Sequence, residues 1–247
     1  MPVLMAISLV CFAVGGILLW IAGRRVNGGE RRARWIKYSV YFLVVMTVLE
    51  AAELGRFWLQ VLLAAIIAAG ALEVKRALAT AGAAGEHPML RVWSVYGLTA
   101  AASLLSLSEL TTVTVAYIYV VVAGFDGFSQ VTGQLIGRHR LAPKISPGKT
   151  LEGAAGGLLG AVGMAVLARS LIGQAPLAAL QLGLLICLAG LTGDLSASWL
   201  KRRAGIKDYG RILPQHGGIL DRFDSFLPAL ALCGLWFGMA RGAPGGP

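Results

Sequence analysis

Charged residues are scarce in this chain: Asp, Glu, Lys and Arg together make up 14% of its 247 residues. A soluble domain usually carries about a quarter charged residues, so this composition argues against a water-soluble globule. Hydrophobic residues make up 57% of the sequence, and the mean hydropathy is +0.72. The apolar residues come in runs of ~15 to 20, the length that crosses a bilayer. The sequence therefore predicts an integral membrane protein.

Cysteine is also rare. Cys11, Cys187 and Cys233 each stand alone in an apolar run. They form neither a pair at metal-ligand spacing nor a disulfide framework. We interpret them as small apolar packing residues, which leaves no sign of a zinc site or a disulfide-stabilised scaffold.

The apolar runs predict an all-α polytopic membrane protein with about eight transmembrane helices and two long cytoplasmic polar loops that form the active site. No basic stretch precedes the first run, an order that favours a membrane anchor over a cleaved signal peptide. The predicted spans are Val3–Trp20, Ile36–Leu49, Phe57–Leu72, Val92–Leu107, Thr111–Phe125, Gly153–Leu171, Leu177–Leu191 and Phe226–Met239.

The basic residues give an orientation. Of the 22 Lys and Arg residues, all but Arg56, Arg169 and Arg241 fall in alternate loops and so on one face of the membrane. Because Lys/Arg-rich loops stay in the cytoplasm, we expect a multi-pass inner (cell) membrane protein with both termini outside and a cytoplasmic active site. The net charge of +10 lies beside the spans, where anionic lipid and phosphate-bearing substrates are the nearest partners. The sequence contains no motif for nucleic-acid binding, so we expect no nucleic-acid partner.

The few acidic residues are unevenly placed: every aspartate lies in the C-terminal half, in or beside the polar stretches 126–152 and 192–225. Short, stiff carboxylates in such a pattern favour a metal site. We interpret the N-terminal glutamates, Glu73 among them, as solvated flanks of spans. The chain thus divides into N-terminal transmembrane helices, 1–125, and a C-terminal catalytic transmembrane domain, 126–247.

The first polar stretch ends in SPGKT, which is close to a Walker P-loop, but that motif needs a glycine where Pro143 stands. Pro143, Pro147 and Gly148 nevertheless predict a defined backbone path. In the span that follows, glycine pairs 153/157 and 156/160 predict close helix packing, within the protomer or between protomers. The phosphate-binding candidates of this stretch are Arg138, Arg140, Lys144, Ser146, Lys149 and Thr150.

The second polar stretch begins with Asp194 at the membrane surface. Ser198, and either Lys201 or Arg202, follow at a spacing that puts them on the same helical face. Asp221 and Asp224 are three residues apart and should share a face of the helix that enters the last span.

His216 stands in the same stretch, directly before Gly217 and Gly218, where backbone can approach a ligand closely. Two readings stay open for it: contact with phosphate or cytosine, or support of the loop. Carboxylates surrounded by cations at a membrane surface meet the needs of nucleotidyl transfer, in which magnesium, lysines and arginines hold phosphates.

The pattern S-x-x-K-R-x4-K-D-x-G-x2-L-P-x-H-G-G-x2-D-R-x-D, from Ser198 to Asp224, resembles the signature of the phosphatidate cytidylyltransferases, the CDP-diacylglycerol synthases. GRHRLAPKISPGKTLEG is similar to the second polar loop of that family, whereas residues 1–125 resemble it only in hydropathy. The chain departs from the usual pattern of this family at Gln215, at Leu151 and in the residues of FDGFSQVTGQ. These departures bear on the preferred lipid more than on the chemistry.

The resemblance implies an enzyme that joins CTP to phosphatidate, giving CDP-diacylglycerol and pyrophosphate, with Mg2+ and with a second ion left open. It also implies membrane-lipid contacts and a homodimer, for which the glycine face offers a place. The residues carried over are Asp194, Asp221 and Asp224 as metal ligands; Lys201, Arg202, Lys207, Asp208, His216 and Arg222 as catalytic residues; and Arg138, Lys144, Ser146, Lys149, Thr150, Ser198, Gly217 and Gly218 as substrate-binding residues.

Three other functions stay open on the sequence: a cytidylyltransferase for another lipid phosphate, a transporter and a non-catalytic scaffold. Transport is disfavoured because the spans are almost free of charge and the ionisable residues gather in loops. A CDP-alcohol phosphotransferase is disfavoured because Asp126-Gly127 is not followed by the Ala-Arg of its motif.

Overall fold

A computed structural model of the chain describes residues 1–24, 27–80, 86–210, 212 and 217–242. In these residues the chain forms helices connected mostly by short links, together with one small hairpin. The helices are α1 (Pro2–Gly23), α2 (Gly28–Leu54), α3 (Arg56–Thr80), α4 (Glu86–Glu109), α5 (Thr112–Ile136), α6 (Leu151–Leu167), α7 (Pro176–Arg203), α8 (Leu220–Phe223) and α9 (Phe226–Gly242).

Each of the eight predicted spans falls on one of these helices. By length and hydropathy, α1 to α5 and α7 are long and apolar enough to cross a membrane. The other two, α6 and α9, are apolar but have 17 residues each, so each rises ~25 Å against a hydrocarbon core of ~30 Å. The all-α, multi-pass architecture is thus confirmed, whereas the count of eight crossings stays a prediction.

The predicted polar loops are shorter than expected because helices continue into them. Helix α5 extends through Asp126 to Ile136, and α7 extends through Asp194 to Arg203. The predicted domain boundary at residue 125 therefore lies inside α5. What remains of the first stretch folds into an antiparallel hairpin of β1 (Arg140–Ala142) and β2 (Ser146–Thr150). The prolines of this stretch thus do accompany a defined backbone path, through a small sheet in an otherwise helical chain.

The glycine face of α6 packs against α5 in the same chain. A Cβ atom at Gly153 would lie 2.8 Å from the backbone oxygen of Ser129, and one at Gly157 would lie 2.8 Å from that of Phe125. Such distances are far below van der Waals contact, so only glycine lets the two helices approach this closely. This face is therefore used inside the protomer and is not free for a homodimer interface.

The bundle has two chemically different ends. At one end, where α3 begins and α4 ends, Arg56 donates to the backbone oxygens of Leu107 and Leu110. The opposite end gathers the end of α3, the hairpin, the end of α7 and the start of α9. There, Glu73 joins α3 to α8, because its carboxylate accepts hydrogen bonds from backbone N–H groups where α8 begins. This second end holds the charged and polar residues that could bind a ligand or take part in a reaction.

Candidate active site

Asp194 joins the two polar stretches. It lies on the last turns of α7, where Ser198, one turn later, donates its hydroxyl to Asp194 Oδ1 at 3.3 Å. Lys149 of β2 forms an ion pair with Asp194 Oδ2. The hairpin is therefore tied to α7 through a carboxylate and an ammonium group that are both about three-quarters buried. The predicted helical spacing of Asp194 and Ser198 is confirmed.

Lys201 lies between the two carboxylates of the D-R-x-D segment. Its Nζ is 2.8 Å from Asp221 Oδ1 and 3.6 Å from Asp224 Oδ2, and 5.3 Å from the centre of the Tyr209 ring. The Lys201 side chain is 9% exposed. Arg202, in contrast, is exposed and donates to the backbone oxygens of Ile145 and Ile206. Of the two basic residues that the spacing allowed, Lys201 is thus the one facing the acidic residues.

Asp221 organises the polypeptide around it. Its Oδ2 accepts hydrogen bonds from the backbone N–H groups of Tyr209 and Gly218, both at 2.9 Å, while Oδ1 accepts from Lys201. Gly217 has a φ of 81°, a left-handed conformation that favours glycine, and a Cβ there would lie 2.8 Å from Asp221 Oδ2. The two predicted substrate-binding glycines thus bring the backbone close to Asp221.

Asp224 stands in a mixed electrostatic field. Burial raises the pKa of its carboxyl to about 8; the Asp194 and Asp126 carboxylates act in the same direction, and Lys201 and Arg222 oppose them. The charged form of Asp224 is disfavoured because it is desolvated and faces like charges, so an added cation would stabilise it. The Nε of Arg222 is buried and has no hydrogen-bond partner among the described residues, which leaves a donor available for a ligand.

Two site residues were not selected from the sequence. Asp126, now on α5, is close enough to Asp224 to raise its pKa. The sequence signal that could have identified Asp126 is its place among the aspartates of the C-terminal half. Glu73 is 2% exposed, so its interpretation as a solvated flank is wrong. Its partners are 146 and 147 residues away, and no local pattern marks such a pairing.

The remaining predicted residues differ in their relation to this centre. Thr150 is buried and caps α6 through a hydrogen bond from Gly153 N to its Oγ1. Asp208 lies beside Gly217, since a Cβ at that glycine would be 3.3 Å from Asp208 Cβ. The side chains of Arg138, Lys144 and Lys207 are exposed, and Ser146 is partly exposed. His216 lies outside the described residues, as do Arg25, Arg211, Pro214 and Gln215.

The carboxylates at this end of the bundle are oxygen donors of the kind that magnesium binds. The described residues hold no group of three or more His, Cys, Asp or Glu side chains arranged for a metal ion. Magnesium usually takes only one or two protein carboxylates and completes its shell with water and substrate phosphate. Asp221 and Asp224 already share one positive charge, the Lys201 ammonium, and Asp221 Oδ1 keeps an unused lone pair. The residues therefore fit a two-carboxylate site completed by a phosphate ligand.

Comparison with known proteins places this geometry in context. The profile of the Cytidylyltransferase family matches residues 1–239. Three similar proteins are each called phosphatidate cytidylyltransferase. That of Brucella abortus (strain 9-941) is 42% identical over 121 residues, 48% of this chain and 44% of the relative. That of Bacillus subtilis (strain 168) is 45% identical over 114 residues, 45% of this chain and 42% of the relative.

The third, from Staphylococcus aureus (strain COL), is 43% identical over 120 residues, 48% of this chain and 46% of the relative. Each match thus spans less than half the length of the relative. The family profile, in contrast, extends over nearly the whole chain, including the N-terminal helices for which only hydropathy was similar.

Proposed function

The chain belongs to the Cytidylyltransferase family, and we propose that it transfers the cytidylyl group of CTP to phosphatidate, giving CDP-diacylglycerol and pyrophosphate. One observation carries the proposal: Lys201 and the carboxylates of Asp221 and Asp224 meet at one end of a bundle of apolar helices. At such a place a lipid headgroup and a soluble nucleotide can meet. The names of the relatives support the same reaction.

The proposed chemistry is a single in-line displacement. A phosphate oxygen of phosphatidate attacks the α-phosphorus of CTP, a new P–O bond forms, and the bond to the β-phosphate breaks. Pyrophosphate leaves with the electron pair of that bond. The attacking oxygen is already anionic near neutral pH, so the site needs no serine or cysteine nucleophile. The protein contributes positioning and charge stabilisation.

The site offers cations for this task. Lys149 and Lys201 each pair with a carboxylate, and Asp194, the partner of Lys149, also acts electrostatically on Lys201. Arg222 has a buried N–H group without a partner among the residues that the structure describes. We assign these three to the phosphates of CTP and of the lipid, because charge-assisted hydrogen bonds to phosphate are strong. Asp126 adds negative charge beside Asp224, which helps to hold these cations in place.

Magnesium belongs to the same proposal. Asp221 and Asp224 are the residues that would hold it, whereas Asp194, the third ligand predicted from the sequence, pairs with Lys149. When bound, magnesium neutralises phosphate charge and stabilises the departing pyrophosphate. We also place the site on the cytoplasmic side of the inner membrane, with both termini outside. A homodimer remains part of the proposal, with an interface away from the glycine face of α6.

The reaction is tested with purified protein in mixed micelles containing labelled CTP, phosphatidate and magnesium. CDP-lipid and pyrophosphate are followed for the wild type, Asp221→Asn and Glu53→Gln. Glu53 is an exposed glutamate at the end of α2 and serves as the matched control. We expect product from the wild type and from Glu53→Gln, no product after chelation, and at least a 100-fold lower rate for Asp221→Asn, since carboxylates that hold and orient phosphate-bound cations are central to such catalysis.

The other outcomes discriminate among the alternatives. Product from another lipid phosphate but not from phosphatidate would transfer the same chemistry to a different lipid. CTP or lipid binding without turnover would support a scaffold, and uptake into vesicles would support a transporter. Turnover of Asp221→Asn within a few-fold of wild type would remove Asp221 from the reaction.

A further inference from the structure

Glu73 is a buried carboxylate from the half of the chain in which the sequence showed no site. It lies on α3 and is 2% exposed. Its Oε1 accepts a hydrogen bond from Ile219 N at 2.8 Å, and its Oε2 accepts one from Leu220 N at 2.9 Å. A carboxylate that is removed from water needs such donors. The two backbone N–H groups therefore offset the free-energy cost of burying Glu73.

The signature segment is shaped to receive Glu73. A Cβ at Gly210 would lie 2.5 Å from Glu73 Oε1, and a Cβ at Gly218 would lie 2.6 Å from its Cδ. Real Cβ atoms essentially never come so close to another heavy atom. Three residues before Glu73, a Cβ at Gly70 would crowd Tyr96 Oη at 2.8 Å, whereas Leu220 Cδ1, at 3.4 Å, would be in ordinary contact with it. Two glycines of the signature therefore make space for a side chain that lies far outside it.

Glu73 and Asp221 both accept hydrogen bonds from the same short segment, residues 218–220. Gly218 N donates to Asp221 Oδ2, and the next two N–H groups donate to Glu73. Asp221 follows directly in the chain and binds Lys201 at 2.8 Å. A displacement of the segment would therefore shift Asp221, and with it the ammonium group that we assign to substrate phosphate.

We infer that Glu73 is a positioning residue of the active site, which acts on Asp221 and Lys201 through residues 218–220. The inference rests on the proposed cytidylyl transfer. The contact of Glu73 with this segment joins α3 to the site, so the N-terminal helices also contribute to the site. Residues that hold a ligand in place from outside its immediate shell usually contribute roughly 10- to 100-fold to affinity or activity.

The test compares Glu73→Gln with wild type and with Glu53→Gln in the micelle assay. The glutamine keeps the size of the side chain but presents an NH2 group to one of the two backbone donors, so the segment must move. We expect kcat to fall roughly 10- to 100-fold and KM for CTP to rise roughly 10-fold. Loss of folded enzyme alone would lower the apparent kcat and leave KM unchanged, so the rise in KM separates positioning from simple destabilisation.

A second variant approaches the same contact from the loop. Gly210→Ala places a methyl group against the Glu73 carboxylate, whereas Gly97→Ala adds one where nothing lies within 4 Å. We expect Gly210→Ala to raise KM for CTP several-fold, and Gly97→Ala to behave as wild type. This pair also serves if Glu73→Gln does not fold.

The outcomes separate this inference from the proposed function. If the wild type makes product but Glu73→Gln and Gly210→Ala keep both constants within twofold of wild type, Glu73 has no positioning role and the function stands. If the wild type makes no product with any lipid phosphate, the proposed function itself fails.

Discussion

Lys201 is a charged residue with little access to water, and its surroundings explain how it is tolerated. Desolvating an ammonium group costs several kcal/mol unless partners replace the lost water. Here two carboxylates and the face of the Tyr209 ring surround it. The same contacts hold the group in one place, and a fixed cation stabilises developing phosphate charge better than a mobile one does.

This arrangement predicts a large effect of Lys201→Met, which keeps the length of the side chain but removes the charge. Asp221 and Asp224 would then remain as buried carboxylates without their common cation. We expect the free energy of unfolding in detergent to fall by about 3–5 kcal/mol, as when one partner of a buried ion pair is removed. Lys207→Met, at an exposed position, should change it by less than about 0.5 kcal/mol. Equal, small shifts for the two variants would show that the Lys201 pairs contribute little to stability.

At the level of single residues, the sequence located the site through local spacing. Asp194 and Ser198 are four apart and share a face of α7, as the spacing predicted. Asp221 and Asp224 both face Lys201, but they lie on the one-turn α8 and at its C-terminal end, not on the helix α9 that enters the last span. The place of Glu73 could not be predicted, because its partners are fixed by the packing of α3 against the segment before α8. The assignment of the metal ligands stays a prediction, because neither the sequence nor the structure tests it.

Among the elements, the contact between α5 and α6 shows how small residues support the site. Helix α5 carries Asp126, and α6 starts directly after the hairpin that carries Lys149. The glycines of α6 allow its backbone to approach α5 closely. Without a hydrophobic driving force between helices in lipid, such close packing is a main source of helix association.

Two glycines on the same helix give a matched test of that packing. A methyl group at Gly157 would meet the Phe125 backbone oxygen at 2.8 Å, whereas one at Gly163 would meet nothing within 4 Å. We expect Gly157→Ala to destabilise the protein by about 1–3 kcal/mol through overpacking. Gly163→Ala should stabilise it by up to about 1 kcal/mol because alanine favours the helix. Unfolding in detergent checks the two signs, and a shift of the same sign in both variants would contradict close α5–α6 packing.

The boundaries of the elements were less predictable than their existence. Hydropathy locates a helix by its apolar stretch, so each predicted segment falls on a helix but several of their ends are wrong. Helices α3, α5 and α7 continue for about two to three turns beyond their predicted ends into polar sequence, whereas α6 ends at Leu167, before the predicted Leu171. Those added turns carry Asp126, Ser198 and Lys201, so the site stands on helices more than on loops.

On the scale of the whole molecule, the two ends of the bundle differ in charge. Arg56 lies at the end where α4 finishes, while the hairpin and the acidic centre lie at the other end. Most basic residues lie on the helix ends and connections of this second end. From this distribution we propose that the basic end faces the cytoplasm, the side that supplies CTP and whose leaflet is anionic.

This orientation predicts opposite labelling of two variants that each carry one added cysteine in a Cys11→Ala background. Ser108→Cys lies near the Arg56 end and Lys144→Cys lies on the hairpin turn, both at exposed positions. A maleimide that does not cross membranes should label position 108 in intact cells, and position 144 only after permeabilisation. Cys187 and Cys233 are buried and should remain unlabelled in the folded protein. The reverse pattern would put the acidic centre on the face without CTP, and cytidylyl transfer could then not be its reaction. Labelling of both positions from one side would instead mean that α5, the one helix between them, does not cross the membrane.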